Sequence, residues 1–329
     1  MAVTIALAGD TMLGRGVAEA LGHRRPRPLF TSAVHKAAAA ADLFLLNLEC
    51  CVSDRGEPVD MPGKPFFFRA PPRAADVLAE LGVGAVFLAN NHALDYGPDA
   101  LFDTFGHLAR AGIRSVGAGA SAAAARAPLV VEAGGLRIGI LAVTDHPAEY
   151  AAGIDRPGVA FADLRKAEAP RWLTNAIRAL SEQTDLVLVS VHWGPNMTLR
   201  PVPHVRRAAV ELTAAGADLV VGHSAHVFHG FTREVLFDLG DFVDDYAVHP
   251  ALRNDLGLLW LVTLDRSGVR NTEAVPIALD FCHTRLADRA EYAWTADRLT
   301  RVCAELGTHV YDENDRLAVH WPRQTARAS

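Results

Sequence analysis

Apolar runs of strand length recur at Val3–Ala8, Leu43–Leu48, Ala85–Ala89, Leu136–Val143, Leu186–Val191, Leu219–Val221, Val235–Leu239 and Leu258–Leu264. Most are apolar at odd and even positions alike, which predicts strands covered on both faces. Between them, amphipathic spacing predicts helices over Ser32–Ala41, Arg73–Leu81, Pro98–Ala111, Arg171–Leu180 and Val205–Ala215. Pro98 suits a first helical position, where its missing donor costs nothing, and Gly112 and Gly216 suit C-terminal caps. Leu129–Glu132 and Leu136–Val143 flank Ala133-Gly134-Gly135, a hairpin signal that brings in antiparallel pairing. The pattern predicts an α/β fold of layered mixed β-sheets, a β-sandwich flanked by helices, with ligands bound at strand ends.

The segment Cys50–Pro72 lacks periodicity and holds five prolines; placed directly after Glu49, it is expected to fold over the strand ends as a substrate loop. Residues after Pro276 read as mainly helical, from Ala287 to Leu306, and the polar end Arg323–Ser329 as frayed. The expected organisation is one domain over 1–282 with a mainly helical extension over 283–329 packed on it.

Composition narrows the partners. Half of the 329 residues are hydrophobic, enough for a sizeable core, and a net charge of −6 without a basic block argues against nucleic acid. No apolar run approaches the ~20 residues of a membrane span, and strand-type sequence begins almost at Met1, so a cytoplasmic location is expected. Cys50, Cys51, Cys282 and Cys303 fit neither a zinc knuckle nor a disulfide framework and read as reduced thiols.

Five segments each close an apolar run with a metal-type side chain: Gly9-Asp10, Asn47-Leu48-Glu49, Asn90-Asn91-His92, His192-Trp193-Gly194 and Gly222-His223-Ser224-Ala225-His226. Taken singly, each has a plainer explanation: Asp10 as a helix N-cap, each histidine as a satisfied core residue. Together they describe one site, because a carboxylate such as Glu49 buried at the end of Leu45–Leu48 is costly unless it is paired or ligates a cation. Oxygen and imidazole donors suit Mn²⁺, Zn²⁺ or Fe²⁺, one or two ions. Asp95 is a candidate partner for the second ring nitrogen of His92. Gly222–His226 begins like a nucleophile elbow, but His226 stands where its closing Gly belongs.

With those motifs in order, and with Gly9–Gly16, Asp95-Tyr96-Gly97, His226-Val227 and Leu239-Gly240-Asp241-Phe242-Val243 around them, the chain resembles the CapA-like, poly-γ-glutamate capsule-synthesis family, of calcineurin-like metallophosphoesterase fold, over about residues 3 to 265. The resemblance implies Asp10, Glu49 and His226 around one cation. It implies Glu49, Asn91, His192 and His223 around a second, with Glu49 bridging and His92 as the acid/base residue beside them. Phosphoesterases of this fold usually carry Asp-X-His in the first motif; Met12 stands at that place and leaves one cation a poorer shell.

The expected activity is metal-activated hydrolysis of a peptide or γ-glutamyl-type amide, with His92 and Asp95 catalytic and with Lys64, Arg69, Trp193, Asn196 and Asp241 facing the substrate. Three alternatives stand beside it: metal-assisted α-carbon epimerisation by two bases, phosphoester hydrolysis, and a non-catalytic binding protein that kept the fold.

Overall fold

A computed structural model describes residues 1–23 and 27–323; most of the expected frayed end lies outside the described residues. Two mixed sheets stack face to face. The larger runs, in spatial order, through Tyr311–Glu313, Arg316–His320, Gly268–Asp280, Leu256–Asp265, Ala2–Thr11, Leu43–Leu48, Ala85–Phe87 and Arg114–Val116. Asp241–Val243 joins it beside the first strand and His283–Leu286 beside the longest. The smaller runs through Val235–Leu236, Leu219–His223, Leu186–His192, Leu136–Thr144 and Leu129–Ala133.

Alternation along each strand explains the layering. Val3, Ile5 and Leu7 pack with Ile138, Ile140, Leu186, Leu188, Leu219 and Val221 between the sheets. Ala6 and Ala8 face the other way, against Val17, Val34, Leu78 and Leu108 of the helices Arg15–Gly22, Ser32–Ala38, Arg73–Glu80 and Gly97–Arg110. Val187, Val189 and Val191 of the smaller sheet likewise meet Leu173, Ile177, Val205 and Leu212 of Arg171–Ser181 and Pro203–Ala214. Runs apolar on both faces therefore end as strands in a helix–sheet–sheet–helix stack, the α/β arrangement expected of a metallophosphoesterase-like chain. Each fully buried Leu or Ile there contributes on the order of 2–3 kcal/mol.

Two segments differ from the expected pattern. Gly268–Asp280 is the longest strand, although Arg270, Asn271, Glu273 and Pro276 break its apolar alternation. Beyond it, Arg289–Ala304 is helical, but His283–Leu286, Tyr311–Glu313 and Arg316–His320 pair as strands rather than extending a helical tail. The last two form a two-residue hairpin at Asn314 and Asp315, both at positive φ (53° and 62°), the turn geometry that matches strand twist.

The parallel strands of both sheets end at a common edge. Ile5 is level with Leu43 and Leu45 with Ala85 in one sheet, and His192 is level with His223 in the other. The first strand slips register between Ala8 and Asp10 and puts Asp10 beside Asp241. Gly9 permits that approach: a Cβ there would sit 1.7 Å from the Gly240 carbonyl oxygen. Gly222 does the same for the second sheet, where a Cβ would meet the Phe237 oxygen at 1.9 Å.

Candidate metal centre

Strand ends deliver the polar side chains, and the amide groups of Asn47 and Asn90 link them. The Asn47 amide donates to Asp10 Oδ1 at 2.7 Å. The Asn90 amide donates to Asn47 Oδ1 (3.0 Å) and to the Leu48 carbonyl (2.9 Å), while its own oxygen accepts from His92 N–H at 3.0 Å. Ser224 N–H donates to Asp10 Oδ2 at 3.1 Å. Ser224 and His226 both take positive φ (105° and 57°) in the turn after Leu219–His223, backbone strain of the kind that clusters at functional sites. Asp238 holds that turn to the next block, accepting from Ala225 N–H (2.8 Å) and Gly240 N–H (2.9 Å).

Within this frame Asp10, Glu49, His192, His223, His226 and Asp241 converge, all buried. His223 Nδ1 is 3.5 Å and His226 Nδ1 3.4 Å from the two Asp10 oxygens. One Glu49 oxygen lies 3.8 Å from His192 Nε2 and the other 3.9 Å from His226 Nδ1. Two groups have donor atoms that all lie within 4.8 Å of one another: Asp10, Glu49 and His192, and Asp10, His226 and Asp241. Asp10 belongs to both, and Glu49 reaches toward an imidazole on each side.

These donors fit a cation. Both Glu49 oxygens, Asn91 Oδ1, His192 Nε2, both His223 ring nitrogens and Asp241 Oδ2 are buried without a hydrogen-bond partner among the described residues. Orphaned buried acceptors cost about 1–3 kcal/mol each, more when charged, and a cluster of them on one spot calls for a positive ligand.

Charge crowding says the same. Burial and the neighbouring Asp10 charge push the Glu49 carboxyl well up. Burial also raises Asp241 well above the usual range, Asp238 to about 7 and Asp244 to about 6. Burial acts on Asp10 in the same direction, but His223, His226 and His192 outweigh it and hold it low. Burial drives His192 well down, while Asp241 and Glu49 override burial and raise His226.

His92 stands beside the cluster with its own support. Its Nδ1 is 2.5 Å from Asp95 Oδ2, and its ring stacks on Phe68 with centroids 4.0 Å apart. Asp95 also accepts from Phe68 N–H (2.7 Å) and Tyr150 O–H (3.0 Å) and pairs with Lys64 at 3.1 Å. A carboxylate only accepts, so His92 donates through Nδ1. Burial lowers its pKa to about 4 even against Asp95.

The expected substrate contacts fall out differently. Lys64 is held at the site, donating to the Asn91 carbonyl at 2.7 Å. Asn196 is exposed and lines a cavity of about 390 Å³ with Arg15, Phe68, His92, His226 and Tyr246. Asp241 sits on the ligand cluster, 2.8 Å from His226 Nδ1, rather than facing outward. Trp193 is buried and donates to the Phe237 carbonyl at 3.0 Å, a packing role. Arg69 turns to the Arg55 and Gly56 carbonyls and lies over the Tyr96 ring.

Some neighbours of the site escape the sequence pattern. Asn47, Asn90 and Tyr150 act through partners distant in the chain, and Asp238 through backbone N–H groups. Asp145 and His146 carry the signal used for the other five segments, since they close the strand Leu136–Thr144.

The sequence model described as bacterial capsule synthesis protein PGA_cap matches residues 4–246. A probable polyglutamine synthesis accessory protein of Mycobacterium tuberculosis is 30% identical, over 96% of this chain and 95% of that one. The PGA biosynthesis protein CapA of Bacillus subtilis is 28% identical over 74% of this chain and 63% of its own. A hypothetical protein from Thermus thermophilus aligns over 86% of this chain and 96% of its own, at a TM-score of 0.43 and 15% identity, a likeness too loose to carry a conclusion. Family model and full-length relative agree: the chain belongs to the CapA-like, PGA_cap capsule-synthesis family.

Proposed function

We propose that the chain is a metal-dependent enzyme that hydrolyses a peptide or γ-glutamyl-type amide. The observation that carries this reading is the set of partnerless buried donors on Glu49, Asn91, His192, His223 and Asp241 beside the His92–Asp95 pair. A divalent cation held by these residues with Asp10 and His226 supplies Lewis acidity toward a carbonyl oxygen and lowers the pKa of water. Asp95 fixes the His92 ring through Nδ1 and leaves Nε2 to take a proton from water and return it to the departing amine. Phe68, stacked on the ring, limits its rotation and shields it from bulk water. Lys64 braces the Asn91 backbone and adds positive charge beside Asp95. The capsule-synthesis family and the PGA name of one relative support a chain of amide-linked glutamate residues as substrate.

A second reading, metal-assisted α-carbon epimerisation, draws on the same cation site, with His92 as the base that opens onto the cavity of about 390 Å³. Incubation of a γ-glutamyl peptide with the Mn²⁺-loaded protein in D₂O separates the two. Hydrolysis gives a new amine and carboxylate without α-deuterium, whereas epimerisation gives α-deuterium in uncleaved peptide. An inert peptide together with rapid turnover of an aryl phosphate would overturn both.

A further inference from the structure

A second cavity, of about 440 Å³, lies beyond the loop that follows His192 and is lined by Asp145, His146, Arg165, Gly194, Pro195, Asn196 and His204. None of these side chains belongs to either group able to hold a cation. It adjoins the first cavity, because Asn196 lines both, and the His146 ring lies 5.2 Å from that of His192.

Its one carboxylate is already committed. Asp145 Oδ1 faces His146 Nδ1 at 2.5 Å, and Oδ2 faces His204 Nε2 at 3.2 Å and Gly194 N–H at 3.4 Å. Both oxygens are thus occupied by donors from the cavity's own wall. Arg165 is exposed and gives one N–H to the Asp145 carbonyl at 3.0 Å; it forms no ion pair among the described residues. Its remaining donors and the Asn196 amide are what this cavity offers a ligand. His204 also stands in the first turn of Pro203–Ala214, a helix with no side-chain cap, whose positive end favours negative charge.

We propose that this cavity is a carboxylate-binding subsite, built on Arg165 and Asn196 beside the N-terminal end of Pro203–Ala214, that seats an acidic group of the chain whose amide reacts beside His92. The inference rests on the amide-enzyme reading and adds the substrate's charge and its direction across Asn196. One guanidinium without an acidic partner balances one negative charge and matches a planar carboxylate bidentately, so a monoanionic carboxylate fits better than a dianionic phosphate.

Calorimetric titration of the full, Mn²⁺-loaded chain with glutarate tests it, with glutaramide and inorganic phosphate as companions. Arg165→Gln is expected to weaken glutarate binding by about tenfold, or 1.4 kcal/mol. Metal content and glutaramide binding should stay unchanged. Glutarate binding within twofold of wild type in Arg165→Gln would overturn the subsite. So would binding that survives Arg165→Gln but vanishes on metal removal, since the carboxylate then sits on the cation. Phosphate binding tighter than glutarate, and lost in Arg165→Gln, would overturn the carboxylate assignment. The readout needs no turnover: an inactive protein with Arg165-dependent glutarate binding refutes only the enzymatic reading, and an active protein whose Arg165→Gln variant binds glutarate unaltered refutes only the subsite.

Discussion

In the C-terminal segment, Asp288 caps the helix Arg289–Ala304 by accepting from Ala290 N–H and Glu291 N–H at 2.8 and 2.9 Å, while Glu291 reaches back to Asp288 N–H at 2.7 Å. Arg285 meets both Glu291 oxygens at 2.7 Å, and the following hairpin turns on two residues suited to its geometry. At the edge where the parallel strands end, the same kinds of group behave in the opposite way. Carboxylates are buried beside one another, seven donor or acceptor atoms lack partners, and Ser224 and His226 hold left-handed backbone. The first region meets its charged side chains with partners near the surface. The second stores unfavourable electrostatics that a bound cation would relieve, and local rules broken together in one place point to a functional site.

Replacing Glu49 should break the comparison most strongly. Glu49→Gln keeps the volume but removes the central charge, so bound metal should fall below one tenth of the wild-type content by elemental analysis, and turnover by at least about a hundredfold. Denaturant unfolding of the metal-free variant should show stability unchanged or raised, by up to about 2 kcal/mol, because a buried and poorly paired carboxyl is gone. His92→Ala sharpens the division of labour: metal content stays the same while turnover drops by about 10²–10⁴.

How far the sequence showed this edge depends on the kind of signal. Asp10, Glu49, His192 and His223 were legible because a charged or imidazole side chain ending an apolar run has few satisfied alternatives. The amide relay through Asn47 and Asn90 was not, because its partners are set by sheet register between segments 37 to 43 residues apart. Asp241 read as a substrate contact because its approach to Asp10 depends on the bulge at Gly9, which no periodicity reveals. In the fold, strands with two apolar faces stood out. Gly268–Asp280 did not, since Arg270 and Glu273 form outward ion pairs and Pro276 mimics a strand breaker.

Smaller effects probe the boundary between the two regions. His229 is buried, with Nε2 donating to the Thr198 carbonyl at 2.7 Å, and burial lowers its pKa to about 4 from 6.5. Above pH 6.5 neither state is protonated there. Between 6.5 and about 4 the unfolded chain takes up a proton that the folded chain refuses, so stability is lost as the pH falls, by about 3 kcal/mol at most. His229→Gln should flatten this part of the stability profile in chemical denaturation at pH 7, 5.5 and 4.5. Asp288→Ala should cost about 1 kcal/mol with metal content intact, the reverse of Glu49→Gln. Asp315→Gly, at a positive-φ hairpin position, should raise stability by a few tenths of a kcal/mol in the same assay.

Side chains from both sheets assemble one site able to hold a cation. Calorimetric titration of Mn²⁺ into the metal-stripped full chain, with its thermal unfolding followed in parallel, addresses it most directly. Saturable binding of one or two ions per chain, a rise in unfolding temperature, and loss of both in Glu49→Gln are expected. Heat without saturation for Mn²⁺, Zn²⁺ and Fe²⁺ alike, and an unfolding temperature that none of them moves, would contradict it.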